Sequence, residues 1–498
     1  MVNPSINPKS AANKSTSILI AVGVIATFLL FRFYGLASQS LNQDEVVERQ
    51  IAELPLEKII HEPNSFPPLY HLLVRAWIEG IDGGEFALRT FSFACAALAT
   101  VMMWGMCRDI FGERIATIAV WLTAGSAYHV YYSQQGRAYM LTLLLAVATT
   151  WPFLRLLRKA SKVDWMWFVL AGTLGGYTHY YFSIYLLTLG LVALVQDFRF
   201  TLRTILPAGI AIGVLCLPLF ALLKGDLEFQ SELREPRPLT LASLGYTYFS
   251  FFSGYTLGPS RPELHVLPTK TAMLKALPWC LLVGVPFVWL TVSAGRRETW
   301  KNQLSMLIAT FFPVGIVGLI GSIMTLTYND RFLIWLVIPL TILLAVGFDR
   351  LKSVRSRMIV AALLLSTTIS ALFVRNHVEA HQNEDIRAIA ETIQQQTEDG
   401  TVPPVLVSAG YVAIVADYYL SEPLTATYIM DNGIATGSTA IAIEQMQNKS
   451  VPFWFVYVRE FHGDPEGEIL RFVTETYNAR QVGHFAGARL FYCANRHE

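Results

Sequence analysis

Eleven long apolar runs constrain the fold of this chain more than any other feature of its sequence. A helix that crosses a bilayer needs about 20 mostly apolar residues. The pattern therefore predicts an α-helical polytopic membrane protein with about 11 transmembrane helices, of which the fifth and sixth are the shortest. The runs cover approximately residues 16–36, 86–106, 115–132, 138–157, 165–178, 181–196, 204–223, 273–294, 304–326, 332–349 and 357–374.

Composition agrees with this class. Only 15% of the 498 residues are charged and 53% are hydrophobic, whereas about 25% of the residues in soluble domains are charged. Aromatic residues make up 12% of the chain, which suits belts at two membrane interfaces. A net charge of +1 gives no basis for nucleic-acid binding. The 5 cysteines show no CxxC spacing, so neither a zinc site nor a disulfide framework is expected.

The distribution of Lys and Arg predicts the orientation of the chain. Basic loops stay in the cytoplasm, and here they alternate along the chain on the same side as Lys9 and Lys14, which precede the first run. The N-terminus is therefore expected in the cytoplasm and the C-terminus outside it. Because the first run has no AxA-like cleavage site, we interpret it as a retained span rather than a signal peptide.

Two domains are expected. Residues 1–374 would form the transmembrane domain, with long outer loops at 37–85 and 224–272. Residues 375–498 would form a small extracytoplasmic α/β domain, because about 120 residues suffice for an independent core. In this domain "NEDIRAIAETIQQQ", with Asn383 as its N-cap, and "EGEILRFVTETY" are predicted helices. "VPPVLVSAG", "LTATYIM", "PFWFVYVRE" and "GARLFYCAN" are predicted strands.

An adjacent carboxylate pair, Asp44 and Glu45, follows the first apolar run on the predicted outer side. A single carboxylate at the centre of a bilayer costs roughly 2.5–3.5 kcal/mol on insertion scales. The pair therefore belongs at the interface or in a polar cavity above it, which suits a substrate whose head group lies at the outer leaflet. The alternative is an ordinary solvated pair in a loop.

Other polar residues on the predicted outer side point to an anionic ligand. Arg137 and Arg331 stand at span boundaries, and the planar fork of Arg is suited to phosphate. An Arg at such a boundary can also simply snorkel. The stretch 64–77 is amphipathic and too short to span, so it is expected in the interface. The remaining candidate residues are Tyr70, Tyr132, Gln135, Tyr139 and His179.

Seven motifs occur in the order expected for one enzyme group: "LNQDE", "PPLYHLLVRAW", "EFALRTFS", "FGERIA", "YYSQQGRAYM", "YTHYYF" and "DRF". Together they make the chain similar to bacterial membrane glycosyltransferases of the C superfamily, called GT-C. It most resembles the protein-mannosyltransferase and lipid A aminoarabinose-transferase relatives, including rhizobial galacturonosyltransferase-like proteins. The similarity covers roughly residues 16–350.

The resemblance implies a GT-C fold in the bacterial inner membrane and the transfer of a hexose or pentose from a polyprenyl-phosphate donor. The acceptor would be an extracytoplasmic lipid, polysaccharide or protein, and the anomeric carbon would usually be inverted. Asp44 would be the general base or acceptor-orienting group, with Glu45 in support, and Arg137 and Arg331 would hold the donor phosphate. From their places in the sequence, the other candidate residues named above are expected to line the substrate site. The C-terminal domain is expected to contribute acceptor recognition or shielding rather than chemistry.

The chain also departs from this family. Phe66 stands where relatives often have His, and Gln135 stands where they often have Glu. These losses weaken the case for a divalent metal, so no metal or other cofactor is expected.

The same chemistry follows without the family. Arginines can stabilise a leaving lipid phosphate, and a carboxylate can take the proton of the acceptor hydroxyl. Backside attack with one base gives inversion, whereas a retaining double displacement needs a second carboxylate, for which Glu45 is the nearby candidate.

Two other functions are compatible with many spans. A transporter or flippase of a lipid-linked or anionic substrate would carry ionisable residues or broken helices near mid-membrane, and Arg89 and Pro339 are modest signals of this kind. A non-catalytic scaffold that presents the C-terminal domain would leave the combination of Asp44, Arg137 and Arg331 unexplained.

Overall fold

The computed structural model describes most of the chain. Helices account for the greater part of it, and one five-stranded sheet lies in the C-terminal part. Residues 226–239 of the predicted loop 224–272 lie outside the described residues. The described residues are 8–61, 66–81, 84–223, 225, 240–296, 298–323, 329–397, 403–421, 423–428, 443–444, 446–447 and 452–495.

Three short helices follow the first long one. Helix α1 covers Pro8–Phe33, and after it come α2 (Gln43–Glu53), α3 (Leu56–His61) and α4 (Leu69–Gly80). These helices have 11, 6 and 12 residues, which is too short to cross a bilayer. Helix α2 packs on α4, and α4 packs on the next helix of the chain.

Six helices form the middle of the bundle. They are α5 (Glu85–Phe111), α6 (Glu113–Ala124), α7 (Ala127–Ser133), α8 (Tyr139–Arg158), α9 (Lys162–Gly176) and α10 (Phe182–Gln196).

The predicted run 115–132 is broken at Gly125 into α6 and α7. Such a break frees carbonyl groups that need partners inside a membrane protein. The buried Arg32 supplies them, donating to the carbonyls of Ala124 at 2.9 Å and Thr123 at 3.1 Å.

The later helices complete the membrane domain. Gly347 packs so closely on another helix that an added Cβ would lie 2.2 Å from the backbone oxygen of Leu290. Small residues permit this kind of close helix approach in membranes. The helices are Phe198–Leu215, Leu241–Ser253, Arg261–Val266, Thr269–Gly295, Trp300–Ile323, the 3₁₀ turn Asp330–Leu336, Val337–Asp349 and Val354–His377.

Within the described residues, seven helices are long and apolar enough to cross a membrane, and Leu19–Phe33 and Phe182–Gln196 are shorter apolar helices. The predicted multi-pass helical class is confirmed. The predicted number of eleven spans is not confirmed, because the runs 115–132 and 165–178 form helices of only 12, 7 and 15 residues.

The C-terminal part contains the predicted small α/β structure. Its strands are β1 (Val405–Val407), β2 (Ala426–Tyr428), β3 (Phe453–Val458), β4 (Asn478–Phe485) and β5 (Ala488–Ala494). They lie in the order β2-β1-β3-β5-β4, with β2, β1 and β3 parallel and the β3–β5 and β5–β4 pairs antiparallel. All six residues of β3 are buried, as expected for a central strand that is covered on both faces.

Helices Ile386–Gln396, Gly410–Tyr419 and Glu468–Thr476 accompany this sheet. The prediction of Asn383 as an N-cap is wrong. Asp385 caps the first of these helices by accepting from the backbone N–H of Ala388 at 3.3 Å. Asn383 instead donates to the carbonyl of Ser40 at 3.1 Å.

Candidate active site

The start of helix α2 orients the carboxylates. Asn42 is its N-cap, and Glu45 closes a capping box by accepting from the Asn42 N–H at 3.2 Å. This reciprocal pair is a common helix start. It places Asp44 in the first turn, and Glu48, four residues later, lies on the same helical face as Asp44.

Glu45 is fully buried, and both of its carboxylate oxygens accept hydrogen bonds. Its two oxygens accept from Nε and Nη2 of Arg89, each at 2.9 Å, and Oε1 also accepts from the Gly136 N–H at 2.8 Å. Burial alone would raise the pKa of Glu45, but the Arg89 charge and these hydrogen bonds hold it below its ordinary value. Arg89, one of the sequence signals for a transporter, is thus engaged in a buried ion pair.

Asp44 occupies a different setting from its neighbour. Its carboxylate is 36% exposed, and Oδ2 accepts from Nη1 of Arg331 at 2.8 Å. Oδ1 lies 3.7 Å from Nη1 of Arg137, which also donates to the Asp44 carbonyl at 3.0 Å. The structure therefore brings together three predicted site residues from three distant parts of the chain.

Glu48 belongs to the same cluster, although it is not among the residues predicted for the site. Its buried carboxylate lies 3.0 Å from Nη1 of Arg137 and 2.9 Å from Nδ1 of His71. The i, i+4 spacing from Asp44 on an amphipathic helix was the available signal. Glu48 thus adds a buried negative charge to the Arg137 side of the site.

Close packing holds the Arg137 loop against α5. An added Cβ at Gly136 would lie 2.3 Å from the side chain of Leu88, so a larger residue does not fit there. The Arg137 guanidinium lies 5.0 Å from the Phe66 ring centroid, within the range of a cation–π contact. Burial alone would lower the pKa of Arg137, but the charges of Asp44 and Glu48 raise it.

Tyr139 lies beside both arginines. The guanidinium carbons of Arg137 and Arg331 are each 5.8 Å from its ring centroid. The His179 ring lies 6.4 Å from the Tyr139 ring and 5.1 Å from that of Phe66. Phe66, an apolar ring, therefore packs on three of the candidate residues, Arg137, Tyr139 and His179.

His179 is a neutral donor in this cluster. Burial lowers its pKa from 6.5 to about 3, and the charges of Arg137 and Arg331 act in the same direction. Its Nδ1 accepts from the Tyr181 N–H at 3.2 Å, so the proton of the neutral ring is on Nε2.

Several buried donors around Asp44 have no hydrogen-bond partner among the described residues. They are Nε of Arg137, Nε of Arg331, the Tyr139 hydroxyl and Nε2 of His179. Buried polar atoms are normally paired, so four such donors within one aromatic and cationic cluster indicate a site for an anionic or polyhydroxylated ligand.

The other predicted residues lie in this region with different contacts. Tyr132 packs on Tyr139 at 4.9 Å, and its hydroxyl donates to that of Tyr255 at 3.0 Å. Tyr70 is buried between His71 and Phe91.

Gln135 is half-buried and contributes its carbonyl, which accepts from the Arg137 N–H at 2.9 Å. Its neighbour Gln134 ties the loop to α1 by donating to the carbonyls of Arg32 and Tyr34.

Tyr255 also lies at the site, although it is not among the predicted site residues. It follows helix Leu241–Ser253 and has a φ of 63°, a conformation that is strained for a bulky residue and common at functional sites. Its ring lies 5.2 Å from that of Tyr131 and 5.7 Å from that of Tyr128. The loop after this helix thus places the Tyr255 side chain at the site. No local pattern in the sequence predicts this position.

Comparisons with known proteins agree with the motif resemblance. Residues 65–223 match the family model described as dolichyl-phosphate-mannose-protein mannosyltransferase. ArnT from Cupriavidus metallidurans has a similar crystal structure in the apo state, with 13% identity and a TM-score of 0.58 over 97% of this chain and 98% of that one. Its structure bound to undecaprenyl phosphate matches with 14% identity and a TM-score of 0.57 over 95% and 97%.

A third similar structure is the archaeal oligosaccharyltransferase AglB from Archaeoglobus fulgidus in complex with an inhibitory peptide and a dolichol-phosphate. It has 13% identity and a TM-score of 0.50, over 98% of this chain and 75% of that one. No curated protein has a significantly similar sequence. At these identities the structures show a shared fold, and the predicted GT-C fold is confirmed.

Proposed function

We propose that this chain, which has the fold of the GT-C membrane glycosyltransferases, transfers a sugar from a polyprenyl-phosphate donor to an acceptor outside the bacterial inner membrane. The observation that carries the proposal is the half-exposed Asp44 carboxylate between the guanidiniums of Arg137 and Arg331. Residues 1–374 would carry the reaction in the membrane, and residues 375–498 would form the extracytoplasmic domain.

The two arginines are the proposed ligands of the donor phosphate. Each has a buried Nε without a hydrogen-bond partner among the described residues, so each can add a charge-assisted bond to a phosphate oxygen. The Tyr139 hydroxyl and His179 Nε2 are further unpaired donors in the same cluster. Four preorganised donors stabilise the negative charge that grows on the phosphate as it leaves.

Donor binding and base activation are coupled in this arrangement. In the structure, Nη1 of Arg331 donates a hydrogen bond to Oδ2 of Asp44 at 2.8 Å. A phosphate that draws Arg331 toward itself releases this oxygen, which is then free to accept a proton. The base is therefore exposed when the donor is present.

The reaction follows from these positions. The acceptor hydroxyl oxygen attacks the anomeric carbon as Asp44 takes its proton, and the bond from that carbon to the phosphate oxygen breaks. Polyprenyl phosphate leaves with the electron pair of that bond.

The other nearby carboxylates favour inversion. Glu45 is buried and bound to Arg89 on both oxygens, and Glu48 is buried against Arg137 and His71. Neither is free to be the covalent nucleophile of a retaining reaction. In the proposed reaction, Glu45 is therefore a positioning residue beside the base.

The solved relatives support the class of donor. One similar structure holds undecaprenyl phosphate and another holds a dolichol-phosphate with an inhibitory peptide. A lipid phosphate at the cluster of arginines is consistent with both. The sugar and the acceptor are to be identified by experiment.

The test uses the full-length protein in lipid nanodiscs with a panel of polyprenyl-phosphate sugars and envelope extracts as acceptors. Mass spectrometry follows release of free polyprenyl phosphate together with a sugar-bearing product. We expect both products from one donor with the wild type, and both to form at least about 100-fold more slowly with Asp44→Asn. Movement of an intact lipid-linked sugar across liposomes, without cleavage, would instead identify a flippase.

A further inference from the structure

The segment of residues 36–42 joins α1 to the catalytic helix α2 and has little regular structure of its own. A segment of this kind needs partners for its backbone groups. Two arginines supply partners for most of its carbonyl groups. Arg89 donates to the carbonyls of Leu36 at 3.0 Å, Gln39 at 2.8 Å and Ser40 at 3.1 Å. Arg387 donates to the Ser38 carbonyl at 3.0 Å.

These two arginines come from different parts of the molecule. Arg89 is on α5 in the membrane domain, whereas Arg387 is on helix Ile386–Gln396 of the C-terminal part. The C-terminal part makes further contacts with the same segment. The Leu41 N–H donates to the Tyr419 hydroxyl at 2.7 Å, and the Ser40 hydroxyl donates to Asp385 at 2.8 Å.

Glu85 joins the two halves of this arrangement. Its carboxylate accepts from the Tyr419 hydroxyl at 2.6 Å and from Nη1 of Arg387 at 3.0 Å. Glu85 stands one helical turn before Arg89 on α5, so both side chains lie on one face of that helix. The 36–42 segment is thereby held between α5 and the C-terminal domain.

The held segment leads directly into the site. Asn42 caps α2, Asp44 lies in its first turn, and Glu45 binds the same Arg89 that holds the segment. A shift of the segment would therefore displace the Asp44 carboxylate relative to Arg137 and Arg331. A misplacement of about 1 Å can cost about 100-fold in rate.

We propose that the C-terminal domain positions the catalytic carboxylate, with Arg387 and Tyr419 as its positioning residues. The inference rests on the proposed function of Asp44. It gives the C-terminal domain a task beyond the acceptor recognition or shielding that the sequence indicated. Neither residue touches the donor in this account, and both act through the backbone that precedes Asp44.

The test uses Tyr419→Phe and Arg387→Gln in the full-length protein. Tyr419→Phe keeps the ring and removes only the oxygen that contacts Leu41 and Glu85. Arg489→Gln is the matched control, because Arg489 pairs with Glu460 at 2.7 Å elsewhere in the C-terminal domain. We expect kcat to fall about 10- to 100-fold in both test variants, with donor Kd within about twofold of wild type and the control unchanged.

Two further measurements separate positioning from general loosening. Hydrogen exchange of the peptide that contains residues 36–42 is expected to become faster in both test variants and to stay normal in the control. In an Asp44→Asn background, adding Tyr419→Phe is expected to cause no further loss of kcat, because residues that act as one unit are not additive.

Each outcome has one meaning. Normal kcat in both variants, with Asp44→Asn inactive, overturns the positioning role and leaves the proposed function intact. A full additional loss in the Asp44→Asn background has the same meaning. Near-normal turnover by Asp44→Asn alone overturns the proposed base, and with it this inference.

Discussion

Nη1 of Arg331 lies 2.8 Å from Oδ2 of Asp44, although 287 positions separate the two residues in the chain. Asp44 stands in the first turn of the short helix α2, and Arg331 stands at the start of a late apolar helix. The contact ties the carboxylate proposed as base to a guanidinium proposed as phosphate ligand. The first predictions concern this pair.

Asp44→Asn is expected to lower the rate of sugar transfer by about 100- to 10,000-fold, the usual contribution of a general base. Asparagine keeps the size and part of the hydrogen bonding but cannot take a proton at neutral pH. Donor binding and expression are expected to stay near normal. Single-turnover assays in nanodiscs measure the rate, with Glu79→Gln on α4 as an exposed-carboxylate control. Near-normal turnover of Asp44→Asn would contradict the role of Asp44 as the base and favour the alternative of an ordinary solvated carboxylate pair.

Arg331→Lys is expected to weaken donor binding by about 10- to 100-fold, since bonds to charged groups contribute roughly 1.5–3 kcal/mol and Lys lacks the planar fork. Binding of a polyprenyl-phosphate sugar, measured by thermophoresis, checks this result. Arg108→Lys is the control, because Arg108 is 57% exposed and pairs with Glu113. Equal donor affinity for Arg331→Ala and wild type would show that the phosphate lies elsewhere.

Glu45→Gln is expected to destabilise the fold, because it leaves the buried Arg89 without its counter-charge. Loss of one partner of a buried pair costs about 3–5 kcal/mol. Glu53→Gln on the same helix is the control, since Glu53 is 54% exposed and its pair with Arg49 contributes little. Melting temperatures of the two purified variants give the comparison, and equal values would contradict the structural role of Glu45.

The same ion pair predicts a pH dependence. The pKa of Glu45 in the folded protein is below its ordinary value of 4.5. Its contribution to stability is therefore present above about pH 4.5 and is lost as the pH falls through the folded pKa. The wild type is expected to lose melting temperature on acidification in this range more steeply than Glu45→Gln. Parallel curves of melting temperature against pH for the two proteins would contradict the contribution of Glu45 to stability.

His179 is expected to stay neutral in the folded protein at about pH 5, where an ordinary His with a pKa near 6.5 is mostly charged. Its pKa is lowered to about 3, so the unfolded state binds a proton first and stability declines as the pH falls below about 6.5. Nitrogen NMR of histidine-labelled protein distinguishes the neutral Nε2–H form from the imidazolium. An imidazolium signal from His179 at pH 5 would contradict the buried-donor role.

The sequence alone predicted the class of protein and much of its helical order. All eleven apolar runs contain helical segments in the described residues, because the cost of exposing a peptide group to lipid leaves a helix as the local solution. Residues 324–326 of the ninth run lie outside the described residues. Four strand-like stretches in the tail correspond to β1, β2, β3 and β5. Val402 at the start of the first stretch, and Ile429 and Met430 at the end of the second, lie outside the described residues. The predicted helix 115–132 is broken instead, because Arg32 from a distant helix supports the free carbonyls at the break.

The tertiary structure alone decided what the two adjacent carboxylates do. From the sequence, the different roles of Asp44 and Glu45 followed only from the family resemblance. In the structure the two side chains leave α2 in different directions, so that Glu45 binds Arg89 and Asp44 lies between Arg137 and Arg331. The place of Tyr255 in the site and the contacts of Glu48, Arg387 and Tyr419 were not predicted, since each depends on side chains far away in the chain. Local patterns such as apolar periodicity are set by neighbouring residues, and so the sequence shows them directly. Charge, burial and hydrogen bonding at a site depend on which distant residues the fold brings together, and that information is not local.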